Sequence, residues 1–286
     1  MKNSAKMMLL AVLVLLTGCE KSLVSEEGAA SKKSEANVVL QLSVFEQLPF
    51  ETRSPQDVTQ LCNRLNVAFF QDGQKVKSVS QKVGDDSFGT VAVALEAGVY
   101  QLVVIGHSCD GSATITSVDK VTFPNNVVSE TFYYYGDLTV GATPETHQLN
   151  LSRAVAMFRL ELTKPLPAEA VKMKFYYTGG SSTFSPLAGY GCVNSKQTVQ
   201  MPVAAEQLVF EVYTFPHTET DELKMTITVL DANDQELKER VFEQVPVTRN
   251  RITRYAGDFF GDNATSSSSI LFSADSDWDG SDSYTF

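Results

Sequence analysis

From Asn37 onward, apolar and polar positions alternate with period two. Val38, Leu40, Leu42 and Val44 fall on one side and Val39, Gln41, Ser43 and Phe45 on the other, the pattern of a strand with one buried face. The period returns over residues 65–71 and 75–79, which flank Asp72-Gly73, a pair suited to the left-handed backbone of a tight hairpin turn. Further strands are predicted over 91–95, 100–107, 118–123, 131–135 and 138–140, then over 156–162, 171–177, 198–201, 208–215, 223–230, 237–242, 252–259 and 270–274. In the cleanest of them Leu223, Met225, Ile227 and Val229 alternate with Lys224, Thr226 and Thr228, ahead of the turn Asp231-Ala232-Asn233-Asp234. One short helix is predicted, with Ser54 as N-cap, Pro55 at the first helical position and Val58, Leu61, Cys62 and Leu65 at helical spacing. Short strands separated by turns, without alternating helices, argue for an all-β chain of two tandem β-sandwiches. The pattern loosens around Thr143-Pro144-Glu145-Thr146 and restarts at Ala154, which puts the sandwiches at 37–147 and 148–274, with an acidic tail at 275–286.

The N-terminus is an address rather than fold. Lys2 and Lys6 precede an apolar run over residues 7–16, too short to span a bilayer but suited to an export signal. Leu16-Thr17-Gly18-Cys19 follows, a lipobox in which small residues ahead of the cysteine allow cleavage and the thiol then carries diacylglycerol. Residues 1–18 are therefore read as a lipoprotein signal peptide, with Cys19 as the first mature residue. Residues 19–36, rich in Ser, Glu, Lys, Ala and Gly, are read as a flexible tether.

Composition narrows the function. With 43% hydrophobic and 20% charged residues the chain has enough apolar content for a core. Its 34 acidic residues against 23 basic ones, with no basic run, exclude a nucleic-acid partner, and acyl chains rather than charge must hold it to a membrane. Three histidines (His107, His147, His217) and four cysteines (Cys19, Cys62, Cys109, Cys192) are scattered, so no catalytic triad, metal site or cofactor is predicted. Asp275-Ser276-Asp277-Trp278-Asp279-Gly280 copies the first half of an EF-hand loop, but Phe286 stands where the bidentate Glu belongs, and the stretch reads as a solvated tail. Cys62 and Cys109 could pair in an oxidising envelope or stay as buried thiols, and Cys192 reads as a small core residue. His107, at a strand end, reads as structural, and Gly179-Gly180-Ser181-Ser182 as a turn. Tyr133, Tyr134 and Tyr135 suit cross-strand packing better than a sugar platform.

Several stretches, in this order, resemble the Bacteroidetes fimbrial anchor lipoproteins over residues 1 to 274. They are the lipobox, the strand and turn from Leu65 to Gly73, Gly98-Val99-Tyr100-Gln101-Leu102-Val103-Val104-Ile105, Leu151-Ser152-Arg153-Ala154-Val155-Ala156, Phe175-Tyr176-Tyr177-Thr178-Gly179-Gly180 and Asn250-Arg251-Ile252-Thr253. Glu20, Glu26 and Glu27 near the anchor resemble the surface-export signal of such lipoproteins, interrupted by Lys21. The resemblance implies two transthyretin-like β-sandwich domains and assembly with a fimbrial stalk subunit by β-strand exchange. It also implies that stalk subunits lose their first strand to an arginine-specific protease while an anchor keeps strand and lipid. Arg53 lies in the loop behind the first strand here, and Ile270-Leu271-Phe272 is the candidate donor strand.

The sequence thus reads as a lipidated, surface-facing fimbrial subunit of the outer membrane. A basal anchor that limits filament length is favoured over a stalk or tip subunit, over a carbohydrate-binding surface lipoprotein of a glycan-uptake system, and over a secreted hydrolase.

Overall fold

The structure, a computed structural model, describes residues 35–44, 56–57, 61–261 and 281–285. The first half of the chain contributes β1 (Val38–Val44), β2 (Gln56–Asp57), β3 (Arg64–Gln71), β4 (Gln74–Lys82), β5 (Thr90–Val93), β6 (Gly98–His107), β7 (Thr114–Ser117), β8 (Lys120–Thr122), β9 (Thr131–Val140) and β10 (Glu145–Arg153). The second contributes β11 (Ala156–Leu162), β12 (Lys172–Thr178), β13 (Thr183–Ser185), β14 (Tyr190–Gly191), β15 (Gln197–Pro202), β16 (Val209–Thr214), β17 (Thr220–Leu230), β18 (Glu236–Thr248), β19 (Ile252–Gly257) and β20 (Ser281–Thr285). The protein is all-β, as the period-two pattern predicts.

Local chemistry explains most of these elements. Asp72 (φ 51°) and Gly73 (φ 75°) make the left-handed turn of the β3–β4 hairpin. The strands expected at 131–135 and 138–140 are one strand, because Gly136 and Asp137 stay extended opposite Leu102 and Gln101 of β6. Tyr134 folds over Gly136, where a Cβ would come within 2.7 Å of the tyrosine hydroxyl, so glycine lets that ring lie against the strand. Within the expected helix Leu61 is helical, but the limits differ. Gln56 and Asp57 pair with Val44 and Ser43 of β1, and Leu65 is a fully buried residue of β3, while Ser54, Pro55 and Val58 lie outside the described residues. Strand pairing across a core sets both limits.

Two sandwiches result. In the first, β1, β10, β5 and β2 form one sheet and β9, β6, β3 and β4 the other. β10 joins them at a corner: Glu145–Leu151 pair with β1, then Ser152 and Arg153 pair with β9. The strand that contains Gln148 thus continues to Arg153. Between the sheets lie Val38, Leu40 and Leu42 of β1, Leu65, Val67 and Phe69 of β3, and Leu102 and Val104 of β6. In the second sandwich the sheets β16-β11-β19-β20 and β15-β12-β17-β18 enclose Phe158, Leu160, Phe175, Met225 and Ile227.

A third core joins the two. The alternate residues of β3 and β6, Ala68, Phe70, Val103 and Ile105, pack with Phe184, Phe215, Met157 and Ile252 from the second half. This explains why β3 is buried almost continuously rather than at alternate positions. A small sheet, β14-β13-β8-β7, pairs strands of both halves, with Thr183 and Phe184 opposite Thr122 and Val121.

Candidate strand-exchange site

β1 is an interior strand. Along one side all seven of its residues pair in parallel with β10, from Val38 opposite Glu145 to Val44 opposite Leu151. Along the other, Val38–Gln41 pair antiparallel with β5, and Ser43 and Val44 with β2. Val38, Leu40 and Leu42 enter the first core, at 1%, 0% and 7% exposure, each contributing about 1.5–3 kcal/mol by burial. Without β1, two strand edges and the apolar floor of the first sandwich would face solvent together, the geometry that accepts an added strand.

Polar contacts fix both ends. Asn37 donates its backbone N–H to Val93 O (3.1 Å) and accepts at its C=O from Glu145 N–H (3.0 Å). Its side chain donates to Leu95 O (2.9 Å) and accepts from Leu95 N–H (2.9 Å), so the amide stands in for one more residue of ladder. At the far end Ser43 Oγ donates to Asn150 Oδ1 (2.8 Å), and Leu42 N–H donates to Gly89 O (2.9 Å).

The last strand has a related arrangement. β20 runs parallel to β19, Ile252 opposite Ser281 to Ala256 opposite Thr285, and is the outermost strand of its sheet among the described residues. Tyr284 stacks on Tyr255 (4.7 Å between ring centres), Ser283 is buried, and Arg251 reaches Asp282 at 3.3 Å. Burial together with the nearby Tyr284 pushes the Tyr255 hydroxyl up to about 12. The solvated tail expected over 275–286 is therefore corrected over Ser281–Thr285, which pair with β19 while Tyr284 packs on the second core. Nothing in the residue pattern Ser-Asp-Ser-Tyr-Thr announces this strand except its one large aromatic.

Residues 30–286 match a family of unknown function, DUF6562. The chain belongs to that family. Comparison with curated proteins gives no match for this DUF6562 member. Among solved structures it is similar to a candidate adhesin from Bacteroides ovatus, at 12% identity over 72% of this chain and 76% of that one, with a TM-score of 0.49. It is also similar to the fimbrial anchor protein Mfa2 of Porphyromonas gingivalis, at 12% identity over 71% and 80% and a TM-score of 0.40. The tip fimbrial protein Mfa3 of the same organism gives 10% identity over 79% and 96%, with a TM-score of 0.40.

Other candidate residues of the DUF6562 chain fall into place as follows. Cys19, Arg53, Ile270, Leu271 and Phe272 lie outside the described residues, as does the EF-hand-like stretch 275–280. The Cys62–Cys109 disulfide is not formed: both thiols are free and buried, Cys62 in the first core against Gly106 and Cys109 in the third core, where it donates to Val127 O (3.2 Å). Burial pushes both thiols up, keeping them protonated. Cys192 is exposed, a correction to its reading as a core residue. Tyr134 packs on the first core, while Tyr133 and Tyr135 pack on the third, Tyr133 edge-on to Phe184 at 4.8 Å. The glycine pair is a turn, with Gly179 at φ 99° under Glu222. His107 is a buried structural group whose Nδ1 accepts from Cys109 N–H (3.2 Å) while Nε2–H donates to Asn66 Oδ1 (3.1 Å).

The structural role of Arg153, named in the sequence only as part of a motif, becomes clear in the fold. Arg153, 3% exposed at the joint between sandwiches, donates to Glu130 Oε1 (2.7 Å) and Asn250 Oδ1 (2.9 Å) and lies over the Phe132 ring. Its motif, followed by fully buried Ala154 and Val155, is legible as a strand break, but its partners lie 23 and 97 residues away.

Proposed function

We propose that this chain is a lipid-anchored structural subunit of a cell-surface fimbrium: the basal anchor that holds the filament to the outer membrane, ends its growth, and joins the adjoining stalk subunit by β-strand exchange. In this reading residues 1–18 are removed on export and Cys19 carries the acyl chains. Residues 19–36 form the tether, and the sandwiches at 37–147 and 148–274 stand at the cell surface. The role is assembly rather than catalysis.

The observation that carries this reading is the seat of β1. An N-terminal strand that fills an interior place between β10 and β5, and supplies three core side chains, decides by its presence whether a groove is filled. Retained, it ties the first sandwich to the lipid at Cys19. Cut away behind Arg53, it leaves both ladders and the core open to a neighbour's strand. The resemblance of the sequence to fimbrial anchor lipoproteins supports the same role.

The test is the intact mass and N-terminal sequence of the protein taken from native outer membranes. A lipidated chain beginning at Cys19 is expected. A chain beginning at Ser54 would overturn the anchor role in favour of a polymerising stalk subunit. Ile270, Leu271 and Phe272 are the proposed donor strand, and deleting residues 270–286 is expected to detach filaments or alter their length.

A further inference from the structure

The alternation within β1 decides which face enters the core, but it does not decide register. A slip of one residue turns Val38, Leu40 and Leu42 out to solvent and is excluded by burial. A slip of two is not excluded in this way, because Leu40, Leu42 and Val44 would then fill the three buried places and the pattern would still be apolar. The backbone bonds to β10 and β5 re-form at every second residue as well. What distinguishes the observed register is polar and lies at the ends. In a two-residue slip Val39 takes the place of Asn37, and the Leu95 N–H and C=O lose the reciprocal amide bonds, both 2.9 Å. Ser43 likewise leaves Asn150.

We infer that Asn37 and Ser43 are the register-determining residues of β1: Asn37 fixes the first position through the Leu95 backbone and Ser43 the seventh through Asn150.

The test uses the full chain with Cys192→Ser, which removes the exposed thiol. Val39 faces Ala92 across β1 and β5, so Val39→Cys with Ala92→Cys reports the native register, and Gln41→Cys with Ala92→Cys reports the two-residue slip. The native cross-link is expected to dominate. Adding Asn37→Ala and Ser43→Ala is expected to raise the slipped product relative to the native one by about tenfold or more. An unchanged ratio would overturn the inference.

Discussion

At the scale of single residues, buried polar groups decide the most. His107 is held neutral by geometry: its Nδ1 already accepts from Cys109 N–H, so a second ring proton would meet a donor. Burial, with Arg64 opposite it across β3 and β6, pushes its pKa down to about 4 from 6.5. The sign follows directly. Above pH 6.5 both folded and unfolded chains carry a neutral imidazole; between 6.5 and 4 only the unfolded chain takes up the proton, and stability falls, by about 3 kcal/mol at the lower end. Denaturant midpoints measured between pH 7 and pH 4 are expected to show this loss, and His107→Gln is expected to remove most of the histidine's share of it. Arg153 acts at the joint in a comparable way. Arg153→Ala leaves Glu130 and Asn250 facing a buried void and is expected to cost roughly 3 kcal/mol, read as a lowered urea midpoint with an unchanged slope.

At the scale of elements, β1 and β20 are both strands added in parallel to a sheet, and they differ in how firmly they are held. β1 is paired on both sides and has three side chains in the core, whereas β20 is, among the described residues, paired on one side and packs mainly through Tyr284. Leu40→Ala is expected to cost about 2–5 kcal/mol and to lower the temperature of global unfolding. Tyr284→Ala is expected to act locally. Amides of β19 that face β20 should exchange with solvent several-fold faster while those of β11 stay protected, as hydrogen exchange with mass detection can show. A global loss of protection on Tyr284→Ala would mean that β20 is part of the main cooperative fold.

At the scale of the whole molecule, the two sandwiches share their third core and a sheet drawn from both halves. Phe184 lies at its centre, fully buried, against Tyr133 at 4.8 Å and Phe215 at 5.0 Å. Arg249 adds a polar clamp by donating to the Tyr133 hydroxyl (3.2 Å) and Gly189 O (3.3 Å). An interface of this kind couples the unfolding of the units it joins. Calorimetry is expected to give a single transition, and Phe184→Ala to lower it as a whole by about 3–5 kcal/mol of stability. Two separated transitions in the unaltered chain would contradict this coupling.

Much of this was legible from residues alone, wherever the determinant is local. Alternation marks β1, β11 and β17, because period two is a property of one strand and one buried face. Asp72-Gly73 marks its turn because the left-handed backbone is a property of those two residues. What the chain could not declare locally, the tertiary structure decided. The continuous burial of β3, the fusion of 131–135 with 138–140, the strand pairing of Gln56, Asp57 and Leu65 where a helix is expected, the separate cores of Cys62 and Cys109, and the pairing of Ser281–Thr285 all depend on which surface arrives from far along the chain. Periodicity reports that a face is buried; only the folded chain determines against what, and in which register.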